Sequence, residues 1–330
     1  MIHTLQRRAA QLAASIFGAI LVPLTLLVPA PAQAQDYPAG RSISIIVGYA
    51  AGSGIDVLAR EVAGRIAETL RTSVVVENKI GANSALANDY VARSSPDGYT
   101  MLILSTSGII NEVTTATRTK VARDFEPVAF AGAQPYAIAV PTDFPARNMA
   151  ELIAIAKAKP NQINYSSLLG GLPQFIGEIL SATAGIQLVA VPYKSTPESQ
   201  VDVIAGRVPI WITPAATAIN VAKSGRVRVL AITSEARIPP APDVPTMKES
   251  GLDALSLDAV YMFLLPKGTP PAIVARLNRE INAAITHPRT VERLASLGVQ
   301  PKTGSSEDVA RSIQTELARW EKVVAASKKQ

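Results

Sequence analysis

Cysteine is absent from the 330 residues, and histidine occurs only twice, at His3 and His287. Without thiols there is no disulfide framework, no thiolate nucleophile and no Cys/His zinc site. A Ser-His-Asp triad would have to use His287, which stands beside Pro288 in a polar break where a solvated or capping role is expected. No Gly-x-Ser-x-Gly elbow or well-placed Ser-x-x-Lys occurs to support a histidine-free hydrolase. Basic runs are scarce as well: beyond Arg7-Arg8 there is only Lys328-Lys329, so a nucleic-acid partner is excluded. These shortages argue for binding rather than catalysis, with no metal and no cofactor.

The first residues carry an address. Arg7 and Arg8 precede an apolar stretch over residues 9–28, and Ala32-Gln33-Ala34 is a small-x-small cleavage pattern. Residues 1–34 read as a secretory signal peptide cleaved after Ala34, in preference to a retained membrane anchor, because Pro23, Pro29 and Pro31 interrupt the apolar run. Loss of the two arginines lowers the formal charge from +6 to +4, a mild bias that suits anionic ligands.

The remaining chain alternates strand and helix patterns. Ile43-Ser44-Ile45-Ile46-Val47 enters the small-residue turn Gly48-Tyr49-Ala50-Ala51-Gly52-Ser53-Gly54, and a helix pattern follows from Asp56. Such a turn leaves the first helical N–H groups aimed at one point, backed by the helix dipole, and attracts anions. Nucleotides are excluded: Val57 stands where a dinucleotide fingerprint needs glycine or alanine, and no Gly-Lys-Ser/Thr is present. Further strands are expected at 74–77, 99–104, 163–167, 187–191, 208–212 and 227–233, with helices at 149–157, 173–184 and 195–205. This rhythm is that of open α/β sheets, in which ligands sit outside the carboxyl ends of strands. Two extended stretches, 127–140 and 261–265, carry the chain between two such units. Helices at 271–285, 291–297 and 306–327 then return to the first.

Six segments occur in a family's order. They are Ser42-Ile43-Ser44-Ile45-Ile46-Val47 with Ala50-Ala51-Gly52-Ser53-Gly54-Ile55-Asp56; Val75-Val76-Glu77-Asn78; Pro96-Asp97-Gly98-Tyr99-Thr100-Met101-Leu102; Val191-Pro192-Tyr193-Lys194; Pro242-Asp243-Val244-Pro245-Thr246 with Glu249-Ser250-Gly251; and Pro266-Lys267-Gly268-Thr269-Pro270. The chain resembles the tripartite tricarboxylate transporter substrate-binding proteins, the Bug family of periplasmic receptors, over essentially its whole mature length. The resemblance implies a two-lobed periplasmic binding protein of type II, a Venus flytrap, with two crossover strands and a C-terminal helical segment on the first lobe. The lobes are expected at residues 35–130 plus 262–330 and at 131–261. The implied function is capture of a small organic carboxylate for delivery to membrane permease subunits. One carboxylate is typically held by the first glycine turn and by loops of the opposite lobe.

The candidate site follows from both lines of reading. Tyr49, Ala50, Ala51, Gly52, Ser53, Gly54, Ile55 and Asp56 form the cradle, with glycine allowing close backbone approach. Asp56, a carboxylate at an anion pole, is expected to cap and stiffen the turn rather than touch ligand. Arg60 and Arg65 are expected to face solvent. Ser105, Thr106 and Ser107 end one strand in a polar loop; Ser166, Ser167, Leu168 and Gly170 end another; Tyr193 and Tyr261 are placed to close over a ligand or to pack in a hinge. Relative to the family pattern, Ile55 replaces a small or hydroxyl residue, Leu168 and Leu169 replace asparagine and glycine, and Thr213 replaces aspartate. Those departures point to a ligand with an aromatic or partly apolar body and against an amino acid. The chain is expected to act as a periplasmic monomer. Two alternatives are a sensor partner presenting its ligand to a membrane signalling receptor and an exported hydrolase. Uptake measured against transcription separates the first from transport, and ester turnover would support the second.

Overall fold

Ile43, Ile45, Ile46 and Val47 are wholly buried, as a strand covered on both faces requires, and together with Ser44 they form β1 (Ile43–Val47). In the helix that follows, α1 (Gly54–Leu70), Ile55, Leu58, Ala59, Val62, Ala63, Ile66 and Leu70 recur at helical spacing and face the core. The computed structural model describes residues 37–168 and 171–327. The expected signal peptide, Leu169 and Gly170 lie outside them.

Next come β2 (Val74–Asn78), α2 (Ala85–Ala92), β3 (Thr100–Ser105), α3 (Thr106–Thr114) and the long β4 (Phe125–Gln134). The first sheet has the order β2-β1-β3-β10-β4, where β10 is Ala259–Pro266. The first three strands are parallel, and β10 runs antiparallel to β3 and β4.

The second unit holds β5 (Tyr136–Pro141), α4 (Met149–Ala158), β6 (Ile163–Leu168), α5 (Leu172–Ala184), β7 (Leu188–Tyr193), α6 (Thr196–Ile204), β8 (Trp211–Pro214), α7 (Ala215–Ala222) and β9 (Val227–Ile232). β6 pairs in parallel with β7, while β5 runs antiparallel to both β8 and β9. The two groups join at Ile210, whose carbonyl accepts from Ser166 N at 2.9 Å and whose N–H donates to Asn164 O at 3.2 Å. The resulting order, β7-β6-β8-β5-β9, repeats the first sheet: second, first and third strands in parallel, then an antiparallel visitor, then the fourth.

This topology fixes where the sheets meet. β4 is parallel to β3 and ends at Gln134 on the carboxyl edge of the first sheet; Tyr136, two residues on, begins β5 opposite Pro214 at the carboxyl edge of β8. The second crossing ends on the same edge, where Tyr261 lies opposite Ser105. Both crossings therefore join carboxyl edge to carboxyl edge.

The last helices pack on the first sheet, as expected. α8 (Pro271–Thr286) lies on β4 and α1, and α10 (Ser306–Ser327) on α3 and β4; α9 (Pro288–Ser296) lies between them in sequence and touches α8 and α1. Gln300 and Ala133 exchange backbone hydrogen bonds. Trp320 is fully buried, meeting Phe175 edge-on at 5.2 Å and donating to Glu316. Two local expectations change. The strand at 208–212 is displaced to Trp211–Pro214, and the polar loop after β3 is absent because α3 starts at Thr106.

α5 packs on β6 at Gly177, where an added Cβ would enter the ring of Tyr165. Tyr165 is 3 % exposed and bonded to Gln174 O, so it cannot move aside cheaply. Gly177→Ala should gain about 1 kcal/mol of helix propensity yet lose more to overpacking, about 1–3 kcal/mol. Urea unfolding should show a lower midpoint at unchanged slope, restored by Tyr165→Leu.

Candidate ligand-binding site

The glycine turn is built around one buried carboxylate. Asp56, 1 % exposed, accepts from Gly52 N at 2.9 Å, from Asn78 Nδ2 at 2.8 Å, and from Arg60 Nε and Nη2 at 3.0 Å each. Burial works to raise its pKa, but the Arg60, Gly52 and Asn78 hydrogen bonds outweigh it and hold the carboxyl below its ordinary value. Asn78, at the end of β2, also donates to Tyr49 O, tying the turn to the sheet. Arg60 stays exposed to solvent, as expected, while its guanidinium reaches back to Asp56, and Arg65, against expectation, is mostly covered and pairs with Glu68. The pairing neutralises Asp56, so no net repulsion meets an anion.

Asp56 stiffens the turn without capping its own helix. Ser53, at the N-cap, makes no side-chain cap bond, and its buried Oγ has no hydrogen-bond partner. Helices α3, α5 and α7, which follow β3, β6 and β8, also begin without side-chain caps. Three helices are capped, with Asn148 accepting from Glu151 N, Ser195 from Glu198 N and His287 from Arg289 N, while α2 and α8 also start without a side-chain cap. Of the uncapped starts, those of α1, α3, α5 and α7 stand at the carboxyl edges, where free N–H groups can serve a ligand.

A second loop faces the same edge. Ala82, Asn83 and Ser84 have φ of 46°, 49° and 76°, a left-handed run that costs roughly 1–2 kcal/mol per residue. Asn111 of α3 holds it, donating to Ala82 O at 2.9 Å and Asn83 O at 3.2 Å. Ser84 packs directly on Gly48, leaving no room for a Cβ there. Strain maintained by surrounding bonds is a mark of functional loops.

Three tyrosines converge at the crossings. Tyr49 OH and Ser105 Oγ are 2.8 Å apart, and Tyr261 OH donates to Gln134 Oε1 at 2.9 Å. Burial raises all three phenols, Tyr136 to about 12, with Tyr49 adding to the rise of Tyr136 and both adding to that of Tyr261. They stay neutral donors. Thr233 Oγ1 links the crossings, accepting from Tyr136 N at 2.8 Å and donating to Asp258 Oδ1 at 2.9 Å.

The family model for the tripartite tricarboxylate transporter family receptor matches residues 58–328. The chain belongs to that family. Similar proteins include BugT of Bordetella pertussis, 32 % identical over 90 % of this chain and 92 % of that one. Among solved structures, a Rhodopseudomonas palustris protein with adipate is 31 % identical, with a TM-score of 0.72 over 86 % of this chain and 96 % of its own. MatC of Rhodopseudomonas palustris, solved with bound malate, is 26 % identical, with a TM-score of 0.71 over 86 % and 99 %.

In this receptor, Ala50, Ala51, Gly52 and Gly54 are exposed and Tyr49 is half-buried. Gly52 has φ of 81°, while a Cβ on Gly54 would meet open space. Ile55 turns into the core, 5 % exposed, so its side chain gives no argument for an apolar ligand; only its backbone lies at the edge. Thr106 accepts from Val260 N, and Ser166 Oγ from Ile212 N, so both hydroxyls are committed to the sheets. Tyr193 donates to Asp202 and packs in the second core rather than over the edge. Ser107 and Leu168 are half-buried and Ser167 is buried. Thr213 is 1 % exposed, and its Oγ1 has no partner. Sequence reading missed Asn78, Asn111, Gln134, Tyr136 and Thr233. Only the polar residues just past strand ends, Asn78 and Thr233, carried a signal.

Among the described residues no group of His, Asp or Glu could hold a metal, and no helix is long and apolar enough to cross a membrane.

Two carboxyls should give opposite pH slopes. Asp56, lowered on folding, adds stability above its ordinary pKa that is lost as pH falls through the folded value. Asp258 is raised to about 6, by burial first, so the folded state gains stability as pH falls from about 6 toward 4. Denaturant unfolding from pH 7 down to about 2.5 should show Asp56→Asn destabilised by a constant amount down to about pH 4 and by progressively less below it. Asp258→Asn should lack the wild-type gain between pH 6 and 4.

Proposed function

We propose that the receptor captures a small, partly apolar organic carboxylate between two lobes, residues 35–130 with 262–330 and residues 131–261. It then delivers the ligand to permease subunits of a tripartite tricarboxylate-type transporter. The chain acts in the periplasm as a monomer, freed of residues 1–34, and catalyses no reaction. One observation carries the ligand reading: Ser53 Oγ and Thr213 Oγ1, two buried hydroxyls without partners, stand on the carboxyl edges of the two opposed sheets. A buried hydroxyl left unpaired costs about 1–3 kcal/mol, and a carboxylate spanning the edges would relieve both. The adipate and malate on relatives support the same chemistry. Micromolar binding needs about 8 kcal/mol. Charge-assisted bonds of roughly 1.5–3 kcal/mol each, from the α1 N–H groups and these hydroxyls, reach that value together with apolar burial, even after immobilisation costs. Leu168, half-buried beside the second set, favours a ligand with methylenes or a ring.

A thermal-shift screen of C4 to C6 dicarboxylates, benzoates and acidic amino acids should find a carboxylate that raises the melting temperature by several degrees, since saturating ligand adds about 3 kcal/mol. Gly54→Val places its side chain in open space without left-handed strain. It should leave the apo melting temperature near wild type and abolish the shift. Thr213→Val should weaken binding about tenfold, equivalent to 1.4 kcal/mol. A screen in which no carboxylate stabilises the protein would overturn the reading.

A further inference from the structure

A cavity of about 900 Å³ lies beside the two crossings; Pro135, Ala216, Thr233 and Asp258 of the carboxyl edges reach its wall, but no residue of the glycine turn does. Its walls come from both units: Ile219 of α7, Ile238 and Leu257 on one side, Val299 and α10 on the other. Its volume is that of a small-molecule site. Three charged groups on its wall make no ion pair among the described residues: the exposed Glu235, Asp258 and Lys302. Asp258 accepts only the Thr233 hydroxyl, and Lys302 Nζ lies 4.6 Å from the centroid of the Phe130 ring. The other cations lining it are matched, Arg237 by Glu249 and Arg319 by Glu316. Ser256 Oγ, also on the wall, is the third buried hydroxyl without a partner among the described residues.

We infer that this cavity is a second ligand site, for a small apolar zwitterion: an amino acid or dipeptide whose ammonium meets Asp258, whose carboxylate meets Lys302, and whose side chain lies on the apolar walls. A carboxylate alone would leave Asp258 facing a second anion, and an amine alone would leave Lys302 facing a second cation. A ligand carrying both charges matches both half-buried groups at once, and leaving either unmatched in a partly desolvated cavity is costly. Ser256 supplies a hydroxyl to either end. Burial first, and Glu235 to a lesser degree, raise the pKa of Asp258, and the Thr233 hydrogen bond and the Lys302 charge offset this only in part.

Isothermal titration of the mature protein with L-leucine, L-isoleucine and leucyl-leucine, and with N-acetyl-leucine and leucine methyl ester as single-charge probes, tests the assignment. Saturable binding of at least one zwitterion is expected, with both single-charge probes at least tenfold weaker. Asp258→Asn and Lys302→Met should each weaken it tenfold or more, while Gly54→Val leaves it unchanged. Lys302→Met, a half-exposed position, keeps the test valid if Asp258→Asn unfolds. The proposal is overturned if no zwitterion binds, if a single-charge probe binds equally well, or if Gly54→Val abolishes binding while Lys302→Met does not.

Discussion

Four donors around one buried carboxylate hold the first glycine turn in place. Asp56 takes the Gly52 N–H, the Asn78 amide and the Arg60 guanidinium, so the turn is closed from outside its own helix. The usual capping arrangement would spend an N-cap hydroxyl on the first helical turn. Here that hydroxyl and those N–H groups are left unspent, and the charge that would repel an anion is cancelled locally. An anion site thus coexists with an acid in its midst because the acid is fully occupied.

The opposed edge is a consequence of connectivity. Each sheet is three parallel strands, a visiting antiparallel strand and a fourth strand, and the visitor in each arrives from the other sheet. Because a visiting strand is antiparallel, it must begin where its parallel neighbours end. Two such exchanges bring carboxyl edge to carboxyl edge at Gln134-Pro135-Tyr136 and at Asp258, and Thr233 bonds to both. The tyrosine cluster fills that junction with neutral phenols, Tyr261 buried and Tyr49 and Tyr136 half-buried.

Most of the fold was legible because strand and helix periodicities are strong in the buried elements. β1 and α10 fall where the pattern puts them, and the repeat of small polar turns announced the second unit. β8 was displaced because Val208 and Ile210 are buried like strand residues while only Ile210 pairs with a neighbouring strand. The cradle could be read from its glycines, but the roles of its side chains could not. Ile55 looks ligand-facing by position, yet helix geometry turns it inward; Thr106 and Ser166 look free, yet each bonds a backbone N–H across the sheet. The left-handed run at Ala82, Asn83 and Ser84 left no glycine signal, since Asn111, far along the chain, sustains it.

Ligand capture depends on whether the uncapped start of α1 grips the carboxylate. Amide resonances followed by proton–nitrogen correlation spectra during titration with adipate, or with whichever carboxylate the thermal screen selects, measure this directly. The largest downfield proton shifts should fall on Gly54 and Ile55, whose N–H groups are free, with a second at Ala216 after β8; Ser53 N and Ala215 N already donate to Ala50 O and Pro135 O. Saturable binding that leaves the Gly54 and Ile55 amides unmoved would contradict it.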